Sequence, residues 1–169
     1  MDATELKALQ EPLKTKYRSE PEAALITLKA RSRVGEGITC KIETGQMMAE
    51  AGLHPATGGD GISVCSGDML LEALAACAGV TLKAVATATG FNLQDAYVHT
   101  EGDLDFRGTL SVDKTAPVGF KEIRMRFDIR SDEPEEKIAK LIQLTERFCV
   151  VYQTLVKANP IPVSLGLQK

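Results

Sequence analysis

The sequence predicts an α+β fold wrapped around one long helix, and three observations carry that expectation. The run "MLLEALAACAGVTLKAVATA", residues 69 to 88, is apolar and alanine-rich over helical length. Strand-like segments stand on both sides of it, the clearest being "FKEIRMRFDIRS", where Ile123, Met125, Phe127 and Ile129 alternate strictly with polar residues. Single helices interrupt runs of strands, which separates this order from the repeating βαβ pattern of a parallel sheet.

The elements follow in order. Residues 2 to 18 carry Leu6, Leu9 and Leu13 at helical spacing and predict a helical arm, so residues 1–22 are set apart from a domain over 23–169. "ALITLKA" (24–30) and "GITCKIET" (37–44) predict two strands, with Ile38, Cys40 and Ile42 sharing one face of the second. "RSRVGEG" between them, with Gly35 and Gly37, predicts a hairpin or bulged turn. "GLHPATGGDGISVCSGD" collects Pro55 and five glycines and predicts a long loop that delivers the chain to the central helix, with Ser66 or Asp68 as N-cap. Gly90 closes that helix after roughly 22 residues, about 33 Å at 1.5 Å per residue. "DAYVHTEGDLDFRGTLSV" and "FKEIRMRFDIRS" then predict strands, the latter with Lys121, Arg124, Arg126 and Asp128 on its wet face. "PEEKIAKLIQLTERFCVVYQTLVKA" predicts one last helix, opened by Asp132 and Pro134. In "NPIPVSLGL", Pro160 and Pro162 restrict the tail to an edge strand or strap.

Composition narrows the function classes. Of 169 residues 44% are hydrophobic and 25% charged, which is ordinary for one globular domain with a sizeable core. The balance of 20 basic and 23 acidic residues gives a net charge of -3, so no basic field recruits nucleic acid or an anionic membrane. The charged and mixed N-terminus lacks the basic-then-apolar order of a secretion signal, and a cytoplasmic address is expected. The long apolar run carries Glu72 and Lys83 and is built mostly of Ala, Thr and Val, so it reads as the buried helix of a soluble fold rather than a membrane span. The glycine cluster precedes a helix but has neither GxGxxG nor GxxxxGK[ST], which argues against nucleotide binding.

The cysteines raise the functional question. Cys40, Cys65, Cys77 and Cys149 include no CxxC pair and stand beside only two histidines, His54 and His99, so neither a zinc site nor any other cofactor is expected. His54, beside a proline in a loop, reads as a surface residue. At 100° per residue, Asp68, Glu72 and Lys83 fall within about 60° of one another, and Cys77 lies opposite Asp68, facing packing, a pocket or an interface. Cys77 in a helix and Cys149 in "LTERFCVVYQTL" are 72 residues apart and meet only through the tertiary fold. An unpaired cysteine in such a helix is either a small core hydrophobe or a shielded reactive thiol, and the residues alone leave both open.

"SGDMLLEALAACAGVTLKAVA" followed by "TERFCVVYQTL" resembles the paired signature of the OsmC/Ohr family, the osmotically induced and organic hydroperoxide resistance proteins, over roughly residues 24 to 166. The resemblance implies antiparallel sheets around a long buried central helix, an intertwined homodimer with active sites at the subunit interface, and a thiol peroxidase acting on hydroperoxides in oxidative stress defence. It implies that Cys77 is the peroxidatic thiol and Cys149 the resolving one, with an external dithiol or a lipoylated protein as reductant. It also implies an arginine held by an acid beside the thiolate: Arg33 first and Arg31 second, with Asp68 in the family's acidic position and Glu72 one turn later. Two departures stand out. Val150 follows the second cysteine where the family prefers proline, a change expected to alter only local helix geometry. Cys65 is an additional thiol, either incidental or an alternative resolving partner or regulatory thiol. The competing reading is a non-catalytic dimer of the same fold that binds a small apolar ligand.

Overall fold

The computed structural model describes residues 2–19, 31–34, 39–43, 48–59, 61–111 and 113–166. The strand expected over 24–30 lies outside the described residues. In order, the elements are α1 (Ala3–Ser19), β1 (Arg31–Val34), β2 (Thr39–Glu43), β3 (Met48–Gly52), a 3-10 turn (Pro55–Thr57), β4 (Val64–Cys65), α2 (Ser66–Thr89), β5 (Asp95–Leu104), α3 (Phe106–Thr109), β6 (Phe120–Arg130), α4 (Glu135–Phe148) and α5 (Val150–Leu155). The α+β class and the long helix agree with the sequence expectation.

The described strands form two sheets. One runs β1-β2-β3-β4, antiparallel except for the short parallel pair β3–β4. The other is the antiparallel pair β5–β6, in register from Asp95↔Arg130 to Gly102↔Ile123 and Asp103↔Glu122, with an irregularity before Leu104↔Phe120. Period two decides its faces. Ile123, Met125, Phe127 and Ile129 turn inward, while Arg124, Arg126 and Asp128 are exposed and pair with one another and with Glu101, Asp103 and His99. Gly102 is required where it stands, because a Cβ there would come within 2.5 Å of the Phe120 ring that lies across it.

Helix α2 is the spine. It lies against β5, α4 and α5, also contacts α1, and is joined to the four-stranded sheet through β4. Leu74, Ala78, Leu82 and Ala86 recur every four residues, and these, with Val85, are its buried positions. Leu82, Val85, Ala86 and Leu141 make one core cluster; Leu74, Ala78 and Cys149 make a second. The helix ends at Gly90, whose φ of 67° is the left-handed conformation a glycine adopts without cost.

Several expectations are corrected. Residues 31 to 34 are not a turn but strand β1, since a four-residue polar strand shows no alternation to betray it. The predicted long loop contains the end of β3, a 3-10 turn and β4. The strand after α2 stops at Leu104, where Asp105 accepts from the N–H of Arg107 and starts α3. The N-cap of α2 is Cys65, with Ser66 and Asp68 already inside the helix. The tail from Lys157 to Gly166 has no strand, and it exposes Ile161, Val163 and Leu165. The central helix buries only one face within a single chain: Val80, on another, is 72% exposed. The last correction matters most. The expected final helix is two helices, broken at Cys149, whose backbone is extended (φ −72°, ψ 109°).

Candidate active site

That break brings the two cysteines together. Cys149 ends α4, where its N–H still donates to the Thr145 carbonyl at 2.8 Å, and it also precedes the first turn of α5, where its carbonyl accepts from Gln153 at 2.9 Å. A continuous helix would have spent the Val150 and Val151 amides on α4 carbonyls. The extended turn at Cys149 instead frees them toward α2, and buries the Cys149 side chain completely between Leu74 and Ala78. Cys77, partly buried, packs against the same cluster, and its sulfur meets the Cys149 thiol. Both thiols are free.

The two sulfurs are unequal. Burial works against ionisation of Cys77 and is the strongest single influence on it. The N–H of Val151, the thiol of Cys149, the N–H of Val150 and the hydroxyl of Thr81 together overcome that influence and hold the Cys77 thiol below its ordinary value. At Cys149 burial is the strongest influence and pushes the thiol up; the N–H of Tyr152 pulls it back, donation to Cys77 and the negative charge there raise it again, the N–H of Val151 lowers it, and the net direction is upward. One thiol is prepared to ionise while its neighbour keeps its proton.

Val150 carries an N–H that acts to lower the Cys77 thiol, a group no proline has. Val150→Pro is a clean deletion of that donor, because proline suits the first position of a helix and the extended backbone of Cys149 suits a residue before proline. The expected result is an upward shift in the pH midpoint of Cys77 alkylation and roughly threefold slower alkylation at neutral pH, with the circular dichroism spectrum unchanged. Coincident pH profiles would show the amide to be idle.

The other expected site residues stand apart from this pair. Asp68 and Glu72 are exposed on α2, about 180° and 140° around the helix from Cys77. Arg33 and Arg31 are placed by their backbone only: they sit on β1, across from Lys41 and Glu43 of β2, and their side chains lie outside the described residues. Cys65 is excluded as a partner of Cys77 within one chain, since twelve residues of helix separate them by about 18 Å. Cys40 sits on β2 opposite Val34 and Ala51. His54 is structural: its Nδ1 accepts from the Ala56 N–H at 3.0 Å and its ring stacks on Phe106 with centroids 4.9 Å apart. Thr81, Val150 and Val151 were not anticipated. Thr81 was within reach of sequence reasoning, being one turn from Cys77, whereas the amide donors depend on the unpredicted break.

Beside the thiols a cleft of about 480 Å³ opens between β6, α2 and α5. It shares Leu74, Ile123, Met125 and Tyr152 with the cluster that packs the cysteines, and Lys121, Glu122 and Glu146 also line it. Among the described residues no three His, Cys, Asp or Glu side chains converge as a metal site.

Comparison with known proteins agrees with this architecture. The family model described as OsmC-like protein matches residues 58–165. Among solved structures, an OsmC-like protein from Mycoplasma pneumoniae is 19% identical, with a TM-score of 0.64 over 78% of this chain and 88% of its own. An organic hydroperoxide resistance protein OsmC from Legionella pneumophila, also described as a predicted redox protein, is 19% identical, with a TM-score of 0.62 over 78% and 90%. An organic hydroperoxide resistance protein from Elizabethkingia anophelis, with thiocyanate bound, is 15% identical, with a TM-score of 0.61 over 77% and 88%. At these identities the likeness is one of fold. No curated protein matches the sequence.

Proposed function

The chain belongs to the OsmC-like protein family, and from that premise we propose that it is a thiol-dependent hydroperoxide reductase acting on organic hydroperoxides, with Cys77 attacking and Cys149 resolving. The observation that carries this reading is the contact between two free thiols of opposite tendency. The Cys77 thiolate attacks the terminal peroxide oxygen; an S–O bond forms, the O–O bond breaks, and the alkoxide leaves as alcohol after taking a proton. Cys77 is then a sulfenic acid. The Cys149 sulfur displaces its hydroxyl as water, forming the disulfide that an external dithiol or a lipoylated protein reduces, so two electrons pass from reductant to peroxide. Kinship with proteins known for organic hydroperoxide resistance supports the substrate class.

The remaining parts of the proposal concern a second copy of the chain. Asp68 and Glu72 turn away from the thiols of their own chain, so their place in the mechanism is across a homodimer interface, steadying the arginine, Arg33 first and Arg31 second, that the mechanism calls for beside a thiolate. The half-covered α2, with Val80 72% exposed, supports such an interface. The cleft favours a second reading, a non-catalytic dimer that holds a small apolar ligand between Leu74, Met125 and Tyr152.

One experiment separates the two. Reduced protein treated with one equivalent of cumene hydroperoxide and mapped by non-reducing peptide mass spectrometry should show a rapid Cys77–Cys149 disulfide. Thiols that remain reduced under excess hydroperoxide would leave the binding reading in its place.

A further inference from the structure

A thioether reduces a peroxide without first losing a proton, so methionine competes with cysteine wherever a hydroperoxide is held against it. The cleft between β6, α2 and α5 sets up that competition. Neither Cys77 nor Cys149 forms part of its walls; among the described residues that line it, Met125 alone carries sulfur. Cys149 is wholly buried and Cys77 partly so, and Met125 packs against the cluster that holds them both. Met125 is an inward-facing, half-buried residue of β6, and Leu74, Ile123, Tyr152 and Leu155 give the cleft its other apolar surface. An apolar hydroperoxide seated beside the thiols therefore lies against the Met125 side chain. Met69 is the natural reference: it too is half-buried, on α2, and takes no part in lining the cleft.

We propose that Met125 is a modification site of the cleft, converted in place to methionine sulfoxide by organic hydroperoxides once Cys77 is oxidised or removed. The inference rests on reading the cleft as the seat of an apolar hydroperoxide. In the step, the Met125 sulfur attacks the terminal peroxide oxygen; an S–O bond forms and the O–O bond breaks. The hydroperoxide's own proton passes to the departing alkoxide, which leaves as alcohol. Sulfur gives up two electrons and the peroxide takes them, so no further reagent enters the balance. A thiolate is the faster nucleophile, so Cys77 spares Met125 while it is reduced. The product sets a polar oxygen on the inner face of β6, among Leu74, Ile123 and Tyr152. Its removal calls for a dedicated sulfoxide reductase, so the mark outlasts the disulfide.

The test follows the gain of one oxygen at Met125 and at Met69 by peptide mass mapping of the full-length protein over time. Cys77→Ser is treated with cumene hydroperoxide or with hydrogen peroxide, and wild type given a large excess of each supplies the same comparison without a substitution. With cumene hydroperoxide, Met125 is expected to oxidise at least about tenfold faster than Met69, the gain that seating beside the sulfur confers. With hydrogen peroxide, which an apolar cleft does not hold, the two rates are expected to agree within about twofold. Equal rates at the two methionines with cumene hydroperoxide would overturn the assignment. So would the same preference with both peroxides, since exposure of the sulfur and not the cleft would then be the cause. Selective oxidation of Met125 in a wild type whose thiols stay reduced would uphold the site while refuting the peroxidase reading. A rapid Cys77–Cys149 disulfide with no preference between the methionines would do the reverse, so the two failures are distinct.

Discussion

Cys77→Ser is expected to lower hydroperoxide consumption by at least about three orders of magnitude, because the other thiol of the described site, Cys149, is buried and held in its protonated form. Cys149→Ser is expected to differ in kind. Its first equivalent of peroxide is still consumed, at a rate near that of wild type, but the product is a Cys77 sulfenic acid that dimedone traps and that overoxidises with further peroxide. Stopped-flow peroxide consumption with dimedone labelling checks both. Equal loss in the two variants would show that the thiols act as a single unit rather than in sequence. The pH profile carries a sign as well. Cys77 is held below its ordinary value, so the wild-type rate rises with pH and levels off at a lower pH than a free cysteine would show. The same depression stabilises the fold above the ordinary thiol value and is lost as pH falls through the folded one. Cys149 runs the other way: its raised value contributes stability at low pH that is lost as pH rises through the thiol range.

Leu82→Ala is expected to cost about 3 kcal/mol, lowering the thermal midpoint by on the order of 10 °C. Leu82 is 1% exposed and is among the largest wholly buried side chains, in the cluster with Val85, Ala86 and Leu141 and against Phe127. Little around it can collapse into the space, because its neighbours come from three separate elements. Differential scanning calorimetry decides the magnitude; a loss under about 1 kcal/mol would mean that the spine tolerates a void. Because the side chain lies in the first cluster and the thiols in the second, the Cys77–Cys149 disulfide is still expected to form in the folded variant at 25 °C.

Where local signals were strong, the sequence was legible. Alternation in β6, the alanine-rich apolar run of helical length in α2 and the glycine at position 90 each name their element without help from the rest of the chain. The pair of cysteines was legible through family resemblance, and their meeting followed from the fold. What escaped notice depends on tertiary forces. "FCVVYQTL" has continuous helical character, and the extended turn there goes with complete burial of the Cys149 side chain against α2, a tertiary contact. Strand β1 is too short and polar to alternate, so the two glycines after it dominated the reading. Helix α3 and the 3-10 turn each carry a local signal, an aspartate and a histidine accepting from an amide two residues on.

The single covered face of α2 has a consequence for the protein as a population. In the proposed homodimer, the apolar side that carries Val80 is sheltered by a second chain and not by its own. Folding and assembly then draw on one pool of free energy, and by mass action the midpoint of unfolding climbs with the amount of protein present. For such a chain, dilution is itself a denaturant.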